Sequence, residues 1–176
     1  MPDQQWSKLR KRLENLICES LRERVKFTVT NYRKAHDQLG RAFISVDKNE
    51  VFNMCTLTSN NALFEKEEEL LNDLQLKYDV FNEEQNCSIQ DKAHEIIMTE
   101  GVFAQYDFFE AVEQYLNSSM EISLHSNHII IKILSLIDRR VGKRTLKKIA
   151  NSIAQEKEIV QYFYHIRCEA EGLENI

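Results

Sequence analysis

Apolar residues along the chain follow two different periods, and the change between them marks two kinds of structure. Trp6, Leu9, Leu13, Leu16 and Ile17 form one stripe of a 3.6-residue repeat. They predict an amphipathic helix over residues 3–18, with Asp3 as its N-cap and Trp6 buried between this helix and a sheet. The period then shortens to two. Val25, Phe27 and Val29 alternate with Lys26, Thr28 and Thr30, and Ala42, Ile44 and Val46 alternate with Phe43 and Ser45, as strands do. Asp47-Lys48-Asn49-Glu50 reads as a tight turn in which Asn49 takes positive φ, and Val51–Leu57 as a third strand. The three strands predict an antiparallel meander, covered by the first helix because a small sheet needs such a cover.

From about residue 60 the helical period returns. Leu63, Leu70, Leu71 and Leu74 place a helix near 60–77, and Tyr78–Cys87 reads as a polar linker. Ser88 starts a helix that runs to Thr99 and is closed by Gly101. A helix over 105–117 buries Phe108, Phe109, Val112 and Leu116, and ends at Asn117-Ser118-Ser119. Ser126 caps a helix over 127–138. Leu146, Ile149 and Ile153 mark a short helix, and Ile159, Val160, Phe163 and Ile166 the last. The expected fold class is α+β: an N-terminal helix on a small three-stranded antiparallel sheet, followed by a predominantly helical C-terminal part. The division is residues 1–60, helix plus meander, and 61–176, helical, packed with the first part as one domain.

Composition narrows this picture. The 176 residues include only 4 Gly and 1 Pro, too few turn residues for a β-sandwich or barrel. Hydrophobic residues make up 43%, enough for a packed core rather than wholesale disorder. The longest apolar run, Ile129 to Ile137, is interrupted by Lys132 and Ser135 and falls well short of the roughly 20 residues that span a bilayer. No export signal is recognisable, so a cytoplasmic location is expected. Cys18, Cys55, Cys87 and Cys168 have no C-x-x-C spacing and read as reduced, mostly buried thiols.

The net charge of −5 conceals an uneven layout. Residues 1–60 carry 11 Lys+Arg against 7 Asp+Glu, residues 61–121 carry 3 against 15, and residues 122–176 carry 9 against 6. An acidic middle lies between two basic ends, suited either to internal neutralisation or to a partner of opposite charge.

Familiar catalytic motifs are missing. Gly142-Lys143 fails as a phosphate loop, because residue 137 is Ile and residue 144 is Arg. The four glycines lie too far apart for a dinucleotide fingerprint, and there is no G-x-S-x-G elbow. His125 with His128 and His165 with Cys168 have i, i+3 spacing but no third ligand nearby, so no metal and no cofactor are expected. Two polar clusters remain. Tyr32, Arg33, His36, Asp37 and Arg41 supply a phenol, an imidazole, a carboxylate and two guanidiniums, the parts of a small acid–base or anion-binding site. Arg139, Arg140, Lys143 and Arg144, followed by Lys147 and Lys148, surround Gly142 and form a candidate anion site. At least Arg139 or Arg140 is expected to pair internally, with a carboxylate from Ala62–Glu121 as one source, while Lys143 and Arg144 stay at the surface. As a nucleic-acid reader the segment is weak, since the pI is about 5.6.

Five segments carry a family resemblance: W-S-K-L at Trp6–Leu9, Y-R-K-A-H-D at Tyr32–Asp37, G-R-A at Gly40–Ala42, D-R-R-V-G-K-R at Asp138–Arg144 and R-C-E-A-E-G at Arg167–Gly172. Together they resemble a family of small uncharacterised bacterial proteins of similar length, some labelled "non-globular". The resemblance implies a bacterial cytosolic protein and implies no activity. The function expected is a non-enzymatic protein-interaction module with a protein partner. The alternatives are a small enzyme or phosphate-binding protein using the Arg33–Arg41 loop, and, third, weak nucleic-acid binding through Arg139–Lys148. The sequence leaves the oligomeric state open.

Overall fold

The computed structural model describes residues 6–31 and 39–173. In order these form α1 (Trp6–Leu16), a 3₁₀ turn (Glu19–Leu21), β1 (Val25–Asn31), β2 (Gly40–Val46) and β3 (Asn49–Cys55). Then come α2 (Thr56–Asp73), α3 (Glu83–Glu100), α4 (Gln105–Asn117), α5 (Met120–Leu124), α6 (Ile129–Leu136), α7 (Lys143–Ile153) and α8 (Glu158–Ala170). The sheet is an antiparallel meander of order β1-β2-β3, and helix accounts for 62% of the described residues. The α+β expectation therefore holds. Among the described residues, no helix is long and apolar enough to cross a membrane.

The chain divides into two compact units, passing back and forth between them. One takes the described residues of Met1–Val29 with Phe43–Asn53 and Phe109–Ile176, and the other takes those of Thr30–Ala42 with Met54–Phe108. The centre of the first is α6, whose eight residues are all buried, as a helix apolar on every side must be. Even Lys132 lies inside, its ammonium paired with Glu156. From α1, Leu13, Leu16 and Ile17 meet Phe27 of β1, Tyr115 of α4 and Leu134 of α6. The stripe of the first helix and the residue after it thus face β1, α4 and α6. Asp3 lies outside the described residues. Trp6 is half-buried rather than buried, its ring edge-on to Phe109 at 5.9 Å. It stands at the first described turn of α1, where the stripe reaches the edge of the core.

In the second unit, α2 and α3 pack as a helical hairpin. Ile89, Ala93 and Ile97 of α3 are buried, whereas α2 buries only Thr56 and Ser59.

Several boundaries differ from the sequence reading, each for a local reason. Positive φ in the β2–β3 turn falls on Asp47 (51°) and Lys48 (70°), not Asn49. Two consecutive left-handed residues are what a two-residue hairpin needs to match strand twist. Strand β3 stops at Cys55 because Thr56 already begins α2, its hydroxyl accepting from the Gln105 N–H. Helix α3 starts five residues earlier than Ser88, since the Asn82 side chain accepts from the Gln85 N–H and Glu83 and Glu84 occupy its first turn. Helix α5 had no expectation; Ser119, read as the end of α4, instead caps α5 by accepting from the Ile122 N–H. The Ser126 hydroxyl accepts from His128, so α6 begins at Ile129. Gly101 closes α3 in the left-handed region, φ 98°.

Candidate functional site

The segments Asp138–Arg144 and Arg167–Gly172 meet. Where α6 ends, Asp138 leaves the helix and forms an isolated antiparallel bridge with Ile17, reinforced by Arg139 N–H donating to Leu16 O at 2.8 Å. The Asp138 carboxylate is fully buried. It accepts from the Tyr115 hydroxyl, from the Arg140 backbone N–H at 2.7 Å, and from the Arg140 guanidinium at 2.7–3.1 Å. Buried Arg167 of α8 completes the turn, donating to Asp138 O at 3.1 Å and Val141 O at 2.7 Å and lying 3.3 Å from Glu171. Lys143 donates to Glu171 O at 2.7 Å. Burial foremost, and then Asp138, push the Tyr115 phenol well above its ordinary pKa. Asp138, first through its hydrogen bonds, raises the Arg140 guanidinium further.

This arrangement ties α4, α8 and the turn after α6 together. Both Asp138 oxygens are occupied by Tyr115 and Arg140, leaving no free acceptor for a substrate proton. Internal pairing holds for Arg140, as expected, but its carboxylate is Asp138, two residues away, and Lys143 finds Glu171. Neither comes from Ala62–Glu121. Arg139 and Arg144 are exposed, as are Lys147 and Lys148, and their charged groups have no carboxylate partner among the described residues.

Of the second polar cluster, Tyr32, Arg33, His36 and Asp37 lie outside the described residues. Arg41 is half-buried on β2. The strand ends flanking that segment are held by Gln105, missed in the sequence. Its Nε2 donates to Thr30 O at 3.3 Å, Asn31 Oδ1 at 3.1 Å and Arg41 O at 3.2 Å. The histidine pairs do not converge: His125 ends α5, His128 precedes α6, and on α8 His165 is exposed while Cys168 is buried. Among the described residues there is no group of three His, Cys, Asp or Glu placed to hold a metal ion. One histidine gained a partner without any sequence signal: His94 Nε2 of α3 lies 3.0 Å from the buried Asp107, whose other oxygen accepts from Ala104 N–H at 2.6 Å. All four cysteines are free thiols; Cys18 and Cys168 are buried, Cys55 is half-buried and Cys87 exposed.

The most distinctive surface is the connection between α2 and α3. It spans residues 74–82, not 78–87, and it is not simply polar. Leu74, Leu76, Tyr78, Val80 and Phe81 are all exposed, Phe81 at 97%. The backbone beneath them is fastened. Gln75 takes a left-handed φ of 54°, and Leu76 N–H donates back to Leu71 O at 2.8 Å. From the first turn of α3, Gln85 donates to Lys77 O at 3.1 Å and Asn86 to Asp79 O at 2.8 Å, while Phe81 N–H donates to the Asp79 carboxylate at 2.9 Å. Beside this tip lies a cleft of about 540 Å³, lined by Tyr78, Val80 and Phe81 with Glu67, Glu83 and Cys87. Burial pushes the Glu67 carboxyl upward. The flanking helices carry Glu65, Glu68, Glu69, Asp73, Glu84 and Asp91 besides.

Compared with known proteins, residues 5–168 match the model of the SF0329 protein family. No curated protein and no solved structure matches the chain.

Proposed function

We propose for this chain, which belongs to the SF0329 protein family, the role of a non-enzymatic bacterial, cytoplasmic protein-interaction module that docks through the α2–α3 tip. The observation that carries this reading is an apolar cluster held out on a hydrogen-bonded backbone. A loop that merely connects two helices has no need of five exposed apolar residues, which cost solubility and mark interaction sites. Tyr and Phe on a fastened backbone lose little conformational freedom on binding, which makes them effective anchors. The carboxylates around the cleft select a partner surface that is apolar at its centre and basic at its rim.

The polar residues nearest to catalytic chemistry support the same choice. Arg140, Asp138 and Tyr115 satisfy one another, and Lys143 is engaged by Glu171. A photo-crosslinking residue placed at Phe81, in cells expressing the protein, is expected to give one discrete adduct that disappears when Glu67 and Glu83 are changed to Lys. The same residue at Ile122, exposed on α5, is the control. No adduct at Phe81, or the same smear from both positions, would overturn the reading.

A further inference from the structure

We infer that the partner of the tip is a second copy of this chain, received in the groove between α7 and α8; this rests on the docking role proposed for the tip. Helix α7 divides by face. Leu146 and Ile153 point into the core, while Arg144, Lys147, Lys148 and Asn151 stand on the opposite side, as their i, i+3, i+4 and i+7 spacing requires. Among the described residues Arg144, Lys147 and Lys148 have no carboxylate partner, and no acidic residue stands in the first turn of α7 to offset the positive end of the helix. One turn beyond Lys147 the outer face opens into a groove of about 250 Å³, lined by Ala150, Ile153, Ala154, Tyr164 and His165. Ala150, Ile153 and Ala154 give it an apolar side and Asn151 and Gln161 a polar one, with Lys147 and Lys148 one turn before it.

The tip supplies the complement. Phe81 is the most exposed large apolar residue among those described, and the residues lining the cleft beside it include Glu67 and Glu83 but no basic one. An aromatic anchor seated against the apolar side of the groove, with lysine ammoniums facing a carboxylate rim, is the arrangement expected of a compact interface core. Each chain carries one tip and one groove. Assembly is then a closed pair with two equal contacts or an open chain of copies.

The test uses the full-length protein and its mass in solution across a concentration series. Low-salt buffer is expected to give concentration-dependent assemblies, which high salt returns to monomer. Phe81→Asp, Lys147→Glu with Lys148→Glu, and Glu67→Lys with Glu83→Lys are each expected to weaken association about tenfold or more, with circular dichroism confirming that each variant is folded. Mixing the last two is expected to restore assembly. The acidic tip of one then meets the intact α7 of the other, and the basic tip meets the reversed α7. A wild-type chain that stays monomeric at low salt, or a Lys147→Glu, Lys148→Glu protein that assembles like wild type, overturns the self-docking. A Phe81 crosslink to a protein of different mass, from a monomeric chain, overturns it too while leaving the docking role intact.

Discussion

Asp138 ties α4, α8 and the turn after α6 together. Its buried carboxylate meets Tyr115 of α4 and Arg140 after α6, while its carbonyl receives Arg167 from α8. Removing the carboxylate in Asp138→Ala leaves the buried Tyr115 hydroxyl without its acceptor and unpairs the half-exposed Arg140, and is expected to cost roughly 1–3 kcal/mol in urea unfolding, the penalty for a buried polar group left unsatisfied. Arg139→Gln, one residue on but exposed, is expected to stay within about 0.5 kcal/mol. Tyr115 gives the pH dependence. Its phenol is raised in the folded state, so its contribution is fully present below the ordinary value near 10 and is lost as pH rises beyond it, by about 1.4 kcal/mol per unit. Tyr164, raised first by burial and then by Cys168, adds in the same direction. Stability measured from neutral to strongly alkaline pH is expected to fall less steeply in Tyr115→Phe than in wild type. The sequence pointed to internal pairing of Arg139 or Arg140 because both follow an apolar helix, without saying which. It hid the partner, since nothing in the spacing says that Asp138 turns inward just as the helix ends.

At the scale of elements, Gly40 and Gln105 form one device. A Cβ on Gly40 would meet Thr30 O at 2.5 Å and Gln105 Nε2 at 2.6 Å, so this glycine is required by close approach rather than by its φ. Gly40→Ala is expected to cost about 1–3 kcal/mol in thermal or urea unfolding, with faster amide exchange at Thr30 and Asn31. Gly142, where nothing crowds an added Cβ, serves as the control. The order of elements was legible wherever the apolar period was sustained: α1, the meander, α4 and the closing helices. It failed at the α2–α3 connection. There Leu76, Tyr78 and Val80 alternate as a strand would, but acidic and amide residues surround them, and the run reads as polar linker. The signal that would have found the tip is an apolar run with no matching period in its neighbours, which leaves those side chains no core to enter. The Asn82–Gln85 cap was also present as sequence and marks where α3 begins.

For the whole molecule, the uneven charge acquires a structural meaning. The carboxylates of residues 61–121 concentrate on the α2–α3 hairpin, while Lys147 and Lys148 of α7 have no carboxylate partner among the described residues. Salt is therefore expected to act on association more than on folding. The unfolding midpoint should change little between low and high salt because the Asp138 clip is buried, whereas assembly should respond strongly. Parts of the first candidate site, Tyr32 to Asp37, lie outside the described residues, and only Gln105 and Arg41 place the strand ends around them. On the proposed docking role, the apolar tip serves a partner rather than the fold. That role is tested most directly by substituting Phe81→Asp and measuring, on the same protein, its urea-unfolding midpoint and its crosslinking from position 78. The account expects the midpoint to stay within about 0.5 kcal/mol of wild type while the adduct is lost. A midpoint that falls by several kcal/mol, as for truncation of a core aromatic (about 3–5 kcal/mol), with the adduct retained, would contradict it.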